Sequence, residues 1–309
     1  MNMTDKDQLN ALLLKTSRTF ALTIPMLPEP TRTEVAVAYL LFRIIDTFED
    51  ATAWAPPRRI EALEELIGLL DEPDARRVTD VTATWMAEPP VDHPGYLDLL
   101  RFTPGVLSWF RDLGPRPREQ LRVHLARSAK GMMEFVGRTR GDGVLELETL
   151  QDLRDYCFAV AGIVGQMLTE LFLIGGPPTL AGMADRLRAR AVQFGEGLQL
   201  VNILKDAKPD AEDGRRYLPR AVLLSEVFVL ARADLTAAAE YTELLRSGGG
   251  DRGLIAFNAI NTRLAVATLR VLRDQGLGSK LTRLQVTGLV AEVMHALEVG
   301  APLFPGVLD

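Results

Sequence analysis

The sequence has 309 residues, 47% hydrophobic and 25% charged, which is the composition of a folded globular protein rather than a disordered or collagen-like one. It contains 35 Lys and Arg against 41 Asp and Glu, a formal net charge of −6, so it lacks the basic surplus of a general nucleic-acid-binding protein. The single cysteine, Cys157, excludes an intramolecular disulfide and fits a reducing, cytoplasmic compartment, and three distant histidines do not make a zinc site.

Apolar residues recur at three- and four-residue intervals along most of the chain, which is the helical period. In chain order, the pattern predicts helices over residues 30–50, 57–70, 116–137, 148–173, 181–208, 232–245, 254–274 and 281–298. The connecting segments are short, and none is biased enough in composition to mark a domain boundary. No repeat or convincing strand pair is present in the pattern. The sequence therefore predicts one all-α domain of roughly ten or more helices.

The most apolar stretch, residues 157–175, is near membrane-spanning length. It carries Gln166, Thr169 and Glu170, and a spanning helix is nearly free of such groups, so we expect this stretch to be buried inside the protein. The first 18 residues are too polar for a signal peptide, and the chain ends without a hydrophobic tail. We therefore expect a soluble protein with no transmembrane segment.

Three carboxylates fall on one face of the first long predicted helix. Asp46, Glu49 and Asp50 are spaced i, i+3 and i+4, and Arg43 and Tyr39 extend the same stripe backwards. Because like charges repel, more strongly when buried, a stripe flanked by apolar residues needs a compensating cation. Mg²⁺ suits carboxylate oxygens and commonly bridges them to phosphates. The alternative is a solvated helix end with Arg43 as the ion-pair partner.

A second polar stripe lies on a later predicted helix, with members about one turn apart: Gln199, Asn202, Asp206 and Asp210. Pro209 lies inside it, lacks a backbone N–H, and is expected to end or kink the helix near Asp206. Asp213 is then an alternative to Asp210. Two such stripes on facing helices would form a pocket for several divalent cations.

Five segments carry a family resemblance when taken in order: SRTF (17–20), YLLFRIIDTFED (39–50), YCFAVAGIVG (156–165), QLVNILKDAKPD (199–210) and RYLP (216–219). Together they resemble the squalene and phytoene synthases, the head-to-head isoprenyl diphosphate synthases, over about residues 16–297. The resemblance implies a single isoprenoid synthase domain over residues 1–309, with helices around a central apolar cavity. It also implies a prenyltransferase that uses Mg²⁺ to ionise an allylic diphosphate.

The resemblance implies roles for individual residues. The metal ligands would be Asp46, Glu49, Asp50, Asn202, Asp206 and Asp210. The groups that hold diphosphate oxygens would be Ser17, Arg18, Arg43, Gln199 and Arg216. The catalytic set would be Tyr39, Arg43, Asp46, Asp50, Tyr156, Asp206 and Asp210, with the two tyrosines near the carbocation. A packed aromatic ring is the alternative for either tyrosine, and a surface ion pair is the alternative for Arg216.

Small residues on the central helix indicate either room for long prenyl chains or close packing against another helix, and the sequence leaves both open. The candidate cavity residues are Phe20, Val160, Gly162, Gly165, Leu168, Leu171, Phe172 and Phe257.

The first acidic motif and residues 257–269 resemble the squalene branch of the family. That branch joins two farnesyl diphosphates through presqualene diphosphate and then reduces the product with NADPH. Lys205, Lys280 and Arg283 would serve NADPH, although they could equally be solvated side chains. The alternatives are a synthase that stops at presqualene diphosphate, one that makes dehydrosqualene or phytoene, and a non-catalytic prenyl-lipid-binding protein. We expect a monomer of bacterial type, without a membrane anchor and with only peripheral membrane contact.

Overall fold

The computed structural model describes residues 3–17, 19–71, 74–140 and 144–307, which form two compact units. The helices of the first unit are α1 (Met3–Thr16), α2 (Phe20–Thr23), α3 (Thr31–Glu49), α4 (Pro56–Asp71), α5 (Ala75–Ala87), α6 (Pro94–Arg101), α7 (Thr103–Asp112) and α8 (Pro115–Gly137). A short 3₁₀ turn, Ile24–Met26, follows α2.

The second unit contains Met26–Pro28 and the chain from Val144 onward. Its elements are β1 (Leu145–Glu146), α9 (Leu150–Cys157), a π-helical segment (Phe158–Gly162), α10 (Ile163–Gly175), α11 (Pro178–Ala181), α12 (Ala184–Glu212), β2 (Arg215–Arg216), α13 (Leu224–Ser247), α14 (Arg252–Gln275) and α15 (Arg283–Val299). The two short strands pair in parallel, with Leu145 opposite Arg215 and Glu146 opposite Arg216.

Helix α3 is the centre of the first unit, where it packs against α1, α4, α6, α7 and α8. Its apolar positions recur with the helical period on more than one side, so Leu40, Leu41, Ile44 and Ile45 are all completely buried. The Glu29 carboxylate accepts a hydrogen bond from the backbone N–H of Thr33 in the first turn, a donor that has no partner inside the helix. The apolar faces of α3 therefore anchor the helix that carries the first acidic stripe.

Helices α9 and α10 with the π-helical segment form one apolar run, Leu150–Gly175, which is long and apolar enough to cross a membrane. In the structure this run packs tightly on α12. A Cβ atom on Gly165 would lie 1.9 Å from the Ala191 carbonyl oxygen, and one on Gly195 would lie 2.0 Å from that of Ala161. The glycines therefore let the two backbones touch, which accounts for the burial predicted for this stretch.

The all-α prediction is confirmed, and each of the eight predicted helices has its counterpart. The sequence predicted that the helix ends or kinks near Asp206. The helix does not end there, because α12 continues through Pro209 to Glu212. Proline removes only its own N–H donor, and its carbonyl still accepts a hydrogen bond from the Asp213 N–H at 3.0 Å. The sequence pattern missed helices α1, α2, α5, α6, α7 and α11 and the paired strands.

Candidate active site

The first acidic stripe lies at the C-terminal end of α3, in the first unit. Asp46 is about one-third exposed (32%), and its Oδ2 atom lies 3.4 Å from Nη1 of Arg43. Desolvation raises the pKa of Asp46 to about 6; Arg43 opposes the rise and the neighbouring Asp50 adds to it. Arg43 thus compensates the charge of this stripe only in part.

The three carboxylates of this stripe differ in burial. Glu49 is 3% exposed, whereas Asp46 and Asp50 both reach the surface. Across the described ranges, no three His, Cys, Asp or Glu side chains are grouped closely enough to hold a metal ion alone. Mg²⁺ usually takes one or two protein carboxylates and completes its octahedron with water and phosphate oxygens. Asp46 and Asp50 fit that kind of binding, in which the substrate supplies the remaining ligands.

Tyrosine rings surround the Arg43 side chain. The guanidinium carbon lies 5.7 Å from the ring centroid of Tyr39 and 5.4 Å from that of Tyr96 on α6. The Tyr39 hydroxyl donates to the Thr16 carbonyl oxygen at 2.8 Å and accepts a long hydrogen bond from Arg43 at 3.4 Å. Tyr39 therefore connects Arg43 to the last turn of α1.

The segment after α1 holds further predicted residues. The Ser17 hydroxyl accepts a hydrogen bond from the Phe20 N–H at 2.9 Å, so in this structure it caps the short helix α2. The Phe20 ring lies 5.5 Å from the Tyr39 ring, measured between centroids, and Tyr39 in turn contacts Arg43. Arg18 lies outside the described residues.

The second acidic stripe lies on the C-terminal half of α12, in the second unit, and cations surround it. Lys205 donates to the Asn202 side-chain oxygen at 2.9 Å and lies 3.2 Å from Asp206. Lys280 lies 3.5 Å from the other carboxylate oxygen of Asp206. Arg215 pairs with Asp210 at 3.3 Å. Gln199 is half-buried one turn before Asn202.

A small cavity of about 180 Å³ lies beside this stripe. It is lined by Ile203, Ala207, Asp210, Ala211, Arg215, Arg216, Tyr217 and Leu218. The Tyr217 ring stacks on Tyr156 at 4.5 Å, so Tyr156 is both buried and packed on an aromatic neighbour. Arg216 and the ion pair of Arg215 with Asp210 make the wall of the cavity both positive and negative, and guanidinium groups suit the binding of phosphate oxygens.

The predicted cavity residues have different surroundings. Gly165 lies at the backbone contact with α12, and a Cβ on Gly162 would lie 2.9 Å from the Phe158 ring and 3.2 Å from Val192. These positions support the packing alternative. Leu168, Leu171, Phe172 and Phe257 are buried, with the two phenylalanine rings edge to face at 6.2 Å, while Val160 is half-buried.

The predicted cofactor residues are mostly exposed. Lys280 has 60% of its side chain exposed, and Arg283 is exposed in the first turn of α15. The structure brings Lys280 and Lys205 together at Asp206. The sequence analysis missed Tyr96 and Arg215; the adjacent Arg216 pointed toward Arg215, whereas no spacing in the sequence connects Tyr96 with Arg43.

Comparison with known proteins places the chain in a family. The squalene/phytoene synthase family model matches residues 13–247. Squalene synthase BSS of Botryococcus braunii is 30% identical over 211 residues, covering 67% of this chain and 41% of that protein. Squalene synthase ERG9 of Candida albicans is 26% identical over 285 residues, covering 84% and 60%. The chain thus spans only about two-fifths to three-fifths of the length of these curated relatives.

Solved structures show the same fold. TcSQS in complex with the ligand E5700 is 26% identical with a TM-score of 0.75, over 95% of this chain and 86% of that one. A dehydrosqualene synthase in complex with ligand is 19% identical with a TM-score of 0.57, over 96% and 97%, and it supports the fold alone. The family match covers most of the chain and includes both acidic stripes. The chain therefore belongs to the squalene/phytoene synthase family.

Proposed function

We propose that this protein is a squalene synthase. It would join two molecules of farnesyl diphosphate head to head, through presqualene diphosphate, in a reaction that depends on Mg²⁺. It would then reduce the product to squalene with NADPH. The relatives that are named squalene synthases support this choice over other members of the family.

The arrangement on α3 carries the proposal. Asp46 and Asp50 are partly exposed carboxylates, and Asp46 lies 3.4 Å from the Arg43 guanidinium, which the Tyr39 and Tyr96 rings contact. Desolvation raises the pKa of Asp46 to about 6, although Arg43 beside it opposes the rise. A divalent cation would add positive charge there, and Arg43 would bind the oxygens that the same cation coordinates.

Different residues of the chain would bind the metal, bind the diphosphate and stabilise the carbocation. Asp46 and Asp50 would hold Mg²⁺ on α3, and Asp206 and Asp210 would hold it on α12. When bound, Mg²⁺ stabilises the negative charge on the departing diphosphate. Arg43 and Arg216 would donate hydrogen bonds to the diphosphate oxygens.

The tyrosines would act through their rings. The Tyr39 hydroxyl already donates to the Thr16 carbonyl oxygen, so its proton is engaged in holding α1. The Tyr156 ring is buried against Tyr217, and the quadrupole of an aromatic face stabilises a nearby cation. The Tyr156 ring therefore suits the stabilisation of a carbocation, whereas the Tyr39 ring already contacts the Arg43 guanidinium.

The reductive step needs a site for the phosphates of NADPH. Lys205, Lys280 and Arg283 have the charge for this purpose, and both lysines currently neutralise Asp206. Because Mg²⁺ would take over that carboxylate, the two ammonium groups would become available to other anions. This part of the proposal depends on the resemblance and on the exposed charge of Lys280 and Arg283.

Product analysis tests the proposal. The purified chain would be incubated with farnesyl diphosphate and Mg²⁺, with and without NADPH, and the products identified by mass spectrometry. Squalene that forms only with NADPH is the expected result. Presqualene diphosphate, dehydrosqualene or another polyene made regardless of NADPH would restrict the function to the first step. No product, also with geranylgeranyl diphosphate, would contradict the enzymatic proposal.

A further inference from the structure

Helix α6 places an aromatic ring on a residue of the proposed site. Tyr96 and Tyr39 both lie near the guanidinium of Arg43, at 5.4 and 5.7 Å from ring centroid to guanidinium carbon. A cation over an aromatic face is attracted by the ring quadrupole, and the attraction does not use the N–H donors. Tyr96 thus contacts Arg43 without competing for those donors.

The hydrogen bonds of Arg43 are few and long. Its Nη1 atom is 3.4 Å from Asp46 and its Nη2 atom is 3.4 Å from the Tyr39 hydroxyl. Its Nε atom is buried and has no acceptor within the described part of the chain. Good N–H···O hydrogen bonds are shorter, usually about 2.9 Å. The rings therefore contribute much of what holds the guanidinium, and its donors can turn toward a diphosphate.

The Tyr96 ring also packs on His93. The two ring centroids are 4.1 Å apart with the planes tilted by 32°, and the His93 Nδ1 atom accepts a hydrogen bond from the Tyr96 backbone N–H. The first turn of α6 also lies in close contact with α1, because a Cβ atom on Gly95 would clash with the Lys15 carbonyl oxygen. A salt bridge of 2.6 Å between Lys15 and Asp98 joins the same two helices. These contacts fix the position of Tyr96 relative to α1.

We propose that Tyr96 is a positioning residue for Arg43: its ring holds the guanidinium so that the N–H groups receive the diphosphate of the substrate. This inference rests on the proposed function. The ring is required and the hydroxyl is not, because the contact is made through the aromatic face. Arginine loses considerable rotamer freedom when a ligand orders it, and a guanidinium that is held in advance loses less.

The test uses the full chain with Mg²⁺ and inorganic pyrophosphate, measured by titration calorimetry, beside the KM and kcat for farnesyl diphosphate. Tyr96→Leu is expected to raise the pyrophosphate Kd and the KM about tenfold, and Tyr96→Phe to restore both to near wild type. Phe102→Leu is the matched control: it removes a half-buried ring at the end of α6 that packs on Trp109. It is expected to lower the melting temperature and leave the Kd unchanged.

Two further measurements separate positioning from folding. In an Arg43→Gln background, Tyr96→Leu should have little added effect, because no cation is left for the ring to hold. Should Tyr96→Leu fail to fold, His93→Asn removes the supporting ring while keeping a side chain suited to cap α6, and it should weaken pyrophosphate binding about threefold.

Equal pyrophosphate affinity in the wild type and in Tyr96→Leu would overturn the proposal, as would a Tyr96→Phe variant as weak as Tyr96→Leu. Absence of pyrophosphate binding by the wild type would overturn it as well. A wild type whose pyrophosphate binding depends on the Tyr96 ring, but which forms no isoprenoid product, would support the positioning role and overturn only the proposed activity.

Discussion

The two acidic stripes have similar spacing and different electrostatic surroundings. On α3, Arg43 is the cation beside Asp46, and the pKa of that carboxyl group is raised to about 6. On α12, Lys205 and Lys280 both lie against Asp206, and Arg215 lies against Asp210. Among the described residues, the first stripe thus has the cation Arg43 beside it, whereas the second has three, Lys205, Lys280 and Arg215.

This difference predicts different responses to a divalent cation. On α3, Mg²⁺ would bind beside an ion pair, the 3.4 Å contact between Arg43 and Asp46. On α12, the ion would displace lysine ammonium groups from Asp206. Exposed ion pairs contribute about 0.2–1 kcal/mol each, so that displacement is a small cost. Under the proposed function, both stripes would bind the ion, and the lysines released from the second would be available to NADPH.

The largest expected effect is loss of turnover when a carboxylate of either stripe is neutralised. Asp46→Asn and Asp206→Asn should each reduce product formation at least about 100-fold, because the charge on the leaving diphosphate loses its compensation. The helical content should stay unchanged by circular dichroism. Asp80→Asn is the control, since Asp80 lies on α5 with 71% of its side chain exposed. Full activity in both variants would remove the metal hypothesis.

A smaller effect on activity is expected from removing Lys280, which pairs with Asp206 of the second stripe. Lys280→Ala should raise the KM for NADPH about tenfold, as expected for the loss of one charged hydrogen bond, and leave presqualene diphosphate formation unchanged. Steady-state kinetics with variable NADPH measures this split. Lys130→Ala, an exposed lysine on α8, is the matched control. An unchanged KM for NADPH would mean that Lys280 serves Asp206 alone.

The smallest expected effects are on the pH dependence of stability, and they come from one buried glutamate on α3 and one on α12. Glu34 on α3 is 4% exposed, and desolvation with the nearby Glu29 raises its pKa to about 7. Glu196 on α12 is 3% exposed, and burial together with Asp234 raises its pKa to about 7 against the attraction of Arg154. Asp155 adds to this rise, and the buried Cys157 thiol lies in the same group of residues.

Both folded-state pKa values lie above the ordinary value of 4.5, so the folded protein binds the extra proton more tightly. The stability that each group contributes is therefore complete below pH 4.5 and is lost as the pH rises through 7. The free energy of unfolding of the wild type falls between pH 4.5 and 7 as these groups lose their protons. In Glu34→Gln and in Glu196→Gln, this fall should be smaller by about 1–2 kcal/mol. Urea denaturation at several pH values measures it. Glu61→Gln, at an exposed position, should change nothing.

Much of the fold followed from the sequence, because the helices that bury the most apolar surface have the clearest period. The pattern over residues 30–50 predicted α3 within one residue at each end, and the positions of Asp46 and Asp50 followed from it. Helices α6 and α7 are short and lie between prolines and glycines, so their period was too brief to stand out. The prediction that α12 ends near Pro209 was wrong, because a proline near a helix end removes one hydrogen bond and leaves the others in place.

The sequence by itself determined the all-α class, the two acidic stripes and the family, since these depend on spacing along single helices. Only the tertiary structure decided which cations neutralise each stripe and that Glu49 is buried whereas Asp46 is not. It also decided that the Tyr96 ring lies on Arg43. The physical reason is that these contacts join residues far apart in the chain, and their energies depend on distance and burial, which a helical period does not contain.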